Sequence, residues 1–223
     1  MAEKRRDKAV KRRPLDRERV LRAAIEIADA GGIEALSMRR LGRRLGVEAM
    51  SLYNHVSNKD DVLGGMLDII VGEIEIPQSS LSWKEAMRGR ALSMRSVFNR
   101  HPWALGLLEA RRSPGPALMR YMESVFGVLR QGGFSIPMAR GAFFVLDSYA
   151  YGSSIQEKNL PSSSPTEASE ATEHFLSRLP QSEYPYLAEA AGSILSSPLD
   201  FAEEFERGLD LLLEALEAWR SRE

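Results

Sequence analysis

The sequence predicts an all-α protein, with a small N-terminal helix-turn-helix domain of three helices ahead of a larger helical bundle. Three observations carry that reading. Ala, Leu, Glu and Arg dominate over β-branched residues across the 223 positions, a composition that favours helix. Apolar residues recur at three- and four-residue steps in most segments, the period of a helix with one buried face. Residues 37–56 carry the spacing of two short helices joined by a sharp turn.

Taken in order, residues 1–13 are charged and read as a disordered basic arm. Pro14 and Asp16 introduce a helix to about Ala30, with Val20, Leu21, Ala24, Ile25 and Ala28 on one face and Gly31-Gly32 ending it. Ser37 is the N-cap expected for a helix over 38–44, and Leu41 and Leu45 share its inner face. Gly42 is small where a second helix must cross, and Gly46 can take the left-handed backbone of the turn. Val47 and Leu52 then anchor a second helix of about two turns from near Glu48. Ala49, Met50, Ser51, Tyr53, Asn54 and His55 are left pointing outward. Asn58 caps the next helix, with Asp60 and Asp61 in its first turn and an apolar face reaching about Glu75.

Ile76-Pro77-Gln78-Ser79-Ser80 breaks the pattern and divides a domain at 14–75 from one at 82–221. Helices are expected near 82–99, 102–111, 115–132, 135–157, 166–179, 184–196 and 199–221, most of them separated by Pro or Gly-Gly. Residues 158–173 are rich in Ser and Pro and read as a mobile connection running into a weak helix.

The overall charge of −1 conceals an asymmetry. Residues 1–59 hold fifteen Lys and Arg against eight Asp and Glu, whereas the remainder holds fifteen against twenty-three. A basic field around a helix-turn-helix points to a polyanion, and double-stranded DNA is the partner this geometry serves. There the second helix enters the major groove while the first crosses the backbone. Arg39 and Arg40 can reach phosphate or a guanine edge, and Ser51, Tyr53 and His55 suit phosphate positioning. The plainer alternative is an ordinary αα-hairpin.

Other classes lose ground. Without cysteine there is no disulfide framework or thiolate metal site, and the three histidines stand in no metal spacing. No nucleophile elbow, phosphate loop or paired histidines suggest an enzyme or a cofactor. No apolar stretch approaches the ~20 residues of a membrane span, and the N-terminus lacks a signal-peptide core, so a cytoplasmic location is expected.

Two stripes suit helix–helix contact. Phe205, Leu209, Leu212, Leu216 and Trp219 form a seam at alternating four- and three-residue steps. Small residues at 141, 142, 150 and 152 interleave with Phe143, Leu146 and Tyr149. Both stripes can face the chain's own core. Helix-turn-helix proteins commonly need two copies to span two half-sites, which favours a four-helix homodimer interface.

Leu36-Ser37-Met38-Arg39-Arg40-Leu41-Gly42-Arg43-Arg44-Leu45-Gly46-Val47, then Leu52-Tyr53-Asn54-His55-Val56 and Asn58-Lys59, resemble the DNA-binding domain of TetR-family regulators. Gln131-Gly132-Gly133-Phe134-Ser135, Gly152 and Phe205 to Leu211 resemble the C-terminal domain of the tetracycline repressors. The resemblance implies a homodimeric transcription factor on a palindromic operator, usually a repressor released by a small ligand. An activator, or an architectural DNA binder without effector, is the alternative. It places Arg39, Glu48, Ala49, Met50, Ser51, Tyr53 and His55 at positions that meet DNA, and Lys59 on a phosphate. Glu75, Glu109 and Gln156 stand where tetracycline repressors carry two histidines and a carboxylate, so tetracycline with magnesium is not the implied ligand. Candidate walls for another organic effector are Phe98, Trp103, Glu109, Arg112, Tyr121, Val125, Tyr149 and Gln156, aromatic faces with a few polar groups.

Overall fold

Asp16 starts the first helix by accepting a hydrogen bond from the Arg19 N–H at 2.8 Å, satisfying one donor that a helix start leaves free. The computed structural model describes residues 14–78, 80–110, 114–159, 165–197 and 200–222, and in it this helix, α1, spans Arg17–Gly31. The basic arm expected at 1–13 lies outside the described residues. A single 3-10 turn, Ile33–Ala35, leads to α2, Met38–Leu45, where Ser37 Oγ accepts from the Arg40 N–H at 3.2 Å. Gly46 ends α2 at φ 70° and ψ 36°, and its neighbour Val47 N–H returns to the Gly42 carbonyl at 3.0 Å.

The second helix of the motif differs from expectation. It is a six-residue 3-10 helix, Ala49–Asn54, rather than two α-turns from Glu48. Packing explains the tighter form: Leu52 is fully buried, whereas Met50 and Tyr53 have nothing to bury them. So short an element gains little from α-type hydrogen bonds. The third helix, α3, spans Lys59–Gly72 and ends three residues short of Glu75. Asn58 Oδ1 caps it, accepting from the Asp61 N–H at 2.8 Å.

The chain divides into two compact units, through Leu67 and from Asp68. Val20, Ala24, Ala28, Leu41, Leu52, Val62 and Met66 form the core of the first. The last turn of α3 belongs to the second unit, where Asp68 Oδ1 accepts from the Ala117 N–H at 2.7 Å.

In the second unit α4, Trp83–Arg100, opens with a capping box between Ser82 and Glu85. It is followed by α5, Ala104–Ala110, α6, Pro116–Gln131, and α7, Ile136–Lys158. Next come α8, Pro165–Arg178, α9, Pro185–Ser196, and α10, Phe201–Arg220. Helix α8 lies within a residue of the helix expected near 166–179, and its first turns occupy the end of the Ser- and Pro-rich stretch 158–173. No strand occurs among the described residues. Helix α7 is central, packing on α4, α6 and α10, while α4 also meets α6 and α10. Apolar Met87, Met94, Phe98, Val125, Leu129, Leu146 and Leu209 fill the space between them. Across the α4–α10 contact run Lys84–Glu214 at 2.8 Å and Arg88 to both Glu206 (2.7 Å) and Asp210 (3.0 Å). The α8 and α9 helices pack on each other as a hairpin.

Leu146, Phe205, Leu209 and Leu216, expected at a dimer interface, are buried within the chain, because the α10 stripe packs on its own α4 and α7. Tyr149, also proposed there, stacks on Phe205 at 5.2 Å and donates to its carbonyl at 2.9 Å. Trp219 lies over Gly141, where a methyl group would meet its ring at 2.8 Å. The apolar faces left open are turned one or two positions away: Phe144 (70% exposed), Val145 and Ile155 on α7, and Leu211 (69% exposed) on α10, with Trp219 also exposed and Leu212 half covered.

Candidate DNA-binding surface and effector site

Local geometry builds the first surface. The Cβ that any other residue would place at Gly42 would meet the Val47 carbonyl oxygen at 2.9 Å and the Ala49 nitrogen at 3.2 Å. Only a glycine lets the 3-10 helix cross α2 this closely. With Leu52 as the inward anchor, Met50 (75% exposed) and Tyr53 (44% exposed) project into solvent. A Met and a Tyr exposed on one short helix give it an apolar tip. Glu48, Asn54, Arg39, Arg40, Arg43 and Lys59 are exposed, and Ala49, Ser51 and His55 half-exposed. Among the described residues no ion pair holds Arg39, Arg40, Arg43 or Lys59, whereas Arg44 is tied to Glu26. The motif thus offers uncompensated cations around an apolar tip.

The base of that surface is held rigid. Arg17 on α1 grips Asp61 on α3 through two hydrogen bonds, and Asp61 also accepts from the Ser57 N–H at 2.8 Å. The Arg17 hydrogen bond, with Ser57 adding, draws the Asp61 carboxyl down to about 2.

The candidate effector residues scatter more widely. Phe98, Trp103, Tyr121 and Val125 are buried in the second unit, Tyr149 packs on α10, and Gln156 is exposed on α7. Arg112 and the side chain of Glu109 lie outside the described residues.

Tyr121 instead belongs to a buried polar cluster that sequence reasoning missed. Arg90 on α4 is 1% exposed and pairs through Nη2 with Asp147 on α7, and the Tyr151 hydroxyl donates to the other Asp147 oxygen at 3.4 Å. The Arg90 guanidinium lies 5.4 Å from the Tyr121 ring centre and 5.7 Å from that of Phe143. Phe98 meets Tyr151 edge-on at 5.5 Å. Burial pushes the Tyr121 and Tyr151 hydroxyls well above the usual phenol range, so both stay protonated. Burial also raises the Asp147 carboxyl, with Arg90 opposing. A signal did exist: Arg90 interrupts the apolar stripe Met87, Ala91, Met94, and Asp147 is the one charge between Gly141 and Gln156.

Residues 20–66 match the family model described as bacterial regulatory proteins, tetR family, and residues 76–220 match the tetracyclin repressor-like C-terminal domain. The chain belongs to the TetR family. It is similar to an HTH-type transcriptional regulator of Saccharopolyspora erythraea, 33% identical over 206 residues that cover 92% of this chain and 85% of the relative. The HTH-type transcriptional repressor DrrR1 of Streptomyces coeruleorubidus is 37% identical over 137 residues, 60% of this chain and 51% of its own. Among solved structures, the TetR-family protein ActR of Streptomyces coelicolor in complex with actinorhodin superposes with a TM-score of 0.77. That match has 31% identity and covers 93% of this chain and 99% of ActR. The arginines, Met50 and Tyr53 therefore sit on the helix-turn-helix of a TetR-family, DNA-binding transcriptional regulator.

Proposed function

We propose that this regulator is a homodimeric repressor that reads a palindromic operator and leaves it when a small organic molecule binds the second unit. The observation that carries the reading is the solvent-projected Met50–Tyr53 tip flanked by unpaired Arg39, Arg40 and Arg43. Arg39, Arg40, Tyr53, Asn54, His55 and Lys59 make the polar contacts, and Glu48, Ala49, Met50 and Ser51 face the groove. Supporting the dimer are the open apolar residues Phe144, Val145 and Ile155 of α7 and Leu211 of α10, a four-helix seam when two copies meet. Supporting ligand release are ActR, solved with actinorhodin, and the repressor DrrR1.

Release follows from differential affinity. A ligand that prefers a dimer with mis-spaced recognition helices weakens operator binding by its preference, and a coupling of ~1–3 kcal/mol lowers affinity about 5–150-fold. The test is anisotropy on duplexes from the DNA flanking the coding region. A repressor binds one such duplex about 10³-fold or more above random duplex at matched salt. Equal affinity for both is the behaviour of an architectural protein and contradicts the proposal.

A further inference from the structure

The 3-10 form of residues 49–54 sorts their side chains into three columns. At three residues per turn, positions i and i+3 eclipse, so 49 lies over 52, 50 over 53, and 51 over 54. Leu52 is fully buried and fixes the first column inward, with Ala49 half-exposed. Ser51 and Asn54 form a polar column. Met50 and Tyr53, both exposed, form the third, and at its Met50 end it offers only a thioether, a weak acceptor and no donor.

That chemistry restricts what Met50 can read. Base edges in the major groove present hydrogen-bond donors and acceptors, and the one apolar group among them is the C5-methyl of thymine. A thioether laid on a donor or acceptor strips it of water without returning a comparable hydrogen bond. Laid on a methyl group, the same side chain removes apolar surface from water on both partners. Met50 is also unbranched, with three rotatable bonds, and adapts its reach where a β-branched side chain would be stiff.

We infer that Met50 is a specificity-determining residue that reads a thymine methyl group in each half-site of the operator. This rests on the operator reading above. Contacts to phosphate hold the motif in register, and the methyl contact supplies the base preference at that position.

Uracil pairs as thymine does and lacks only the methyl group, so it isolates this contact. The probe is the flanking-region duplex that binds best, resynthesised with deoxyuridine for thymidine, one position at a time and in both half-sites together. Burying one methyl group changes affinity about three- to fourfold, so the paired substitution should cost about tenfold at the position Met50 reads. Replacing that thymine–adenine pair by 5-methylcytosine–guanine should bind tighter than cytosine–guanine, because the methyl returns to the same place. Met50→Ala should bind the thymine duplex more weakly than the wild type does and should bind the thymine and uracil duplexes equally. Met50→Leu, which keeps an apolar side chain of similar size, should discriminate between them again.

Uracil tolerated at every position, the behaviour of a Met50 that packs only on deoxyribose, overturns the inference. So does full discrimination retained by Met50→Ala, which assigns the methyl group to another residue. Equal binding of all duplexes overturns this inference and the operator reading together, whereas selective binding that ignores uracil overturns this inference alone. A uracil effect on a site held by a single protomer supports the methyl contact and contradicts the dimer.

Discussion

Arg17 and Asp61, on α1 and α3 and forty-four residues apart, clasp each other through two hydrogen bonds of 2.9 and 2.6 Å. This clasp ties together the two helices that flank the recognition element. The Asp61 carboxyl is drawn from its ordinary value near 3.8 to about 2, chiefly by Arg17. A depressed carboxyl contributes stability that is complete above about pH 4 and lost as pH falls through 2. Arg17→Ala should therefore cost about 1 kcal/mol near neutrality, the upper range for a partly exposed pair. Urea denaturation of both proteins should show that gap closing between pH 4 and pH 2. A gap independent of pH would contradict the assignment.

The crossing at Gly42 should be less forgiving than the turn at Gly46. Gly42→Ala forces a methyl group against the Val47 carbonyl and Ala49 backbone, neither of which is a flexible side chain. Overpacking of this kind costs about 1–3 kcal/mol and re-aims the 3-10 helix, so DNA binding should fall by more than the stability loss explains. Gly46→Ala strains only one positive φ and should cost about 1 kcal/mol. Chemical denaturation and operator titration of the two variants give the comparison.

Breaking the Arg90–Asp147 pair from one side leaves a buried charge alone. Arg90→Met or Asp147→Leu should each cost about 3–5 kcal/mol, whereas the double variant should recover most of that loss. A double-mutant cycle by denaturant titration reads the coupling directly. Additive losses would show that the two groups do not depend on each other.

Among the contacts to DNA, Lys59→Ala should weaken all sequences alike and lower the salt slope by about one unit, since it removes one phosphate contact. Arg39→Ala should relax sequence preference where its guanidinium reads a base edge. Tyr53→Ala should reduce operator affinity with helical content intact, because its ring is outside the core. A selection experiment on randomised duplexes distinguishes the first two, and circular dichroism checks the third.

Local signals in the chain were legible wherever one residue's chemistry decides the backbone. Asp16, Ser37 and Asn58 cap the helices they precede, and Gly46 takes the left-handed turn. The 3-10 form of 49–54 was not legible, since its sequence allows either helix and packing around Leu52 selects the tighter one. Periodicity showed that α10 has an apolar stripe but not which neighbour receives it. Leu209 and Leu216 went to the chain's own core, leaving Leu211 outside. The Arg90–Asp147 pair joins two helices fifty-seven residues apart, and no spacing rule along one helix reports such a meeting.

The central claim is that two copies of the chain, joined through α7 and α10, place two helix-turn-helix motifs on one operator. Footprinting on the DNA flanking the coding region, with sedimentation of the complex and of Phe144→Asp/Leu211→Asp, tests it most directly. The account predicts two protomers on two inverted half-sites about one helical turn apart, roughly 34–36 Å, with the double variant losing dimer and footprint together. A single protomer protecting one site, or a double variant that stays dimeric and keeps its footprint, would contradict it.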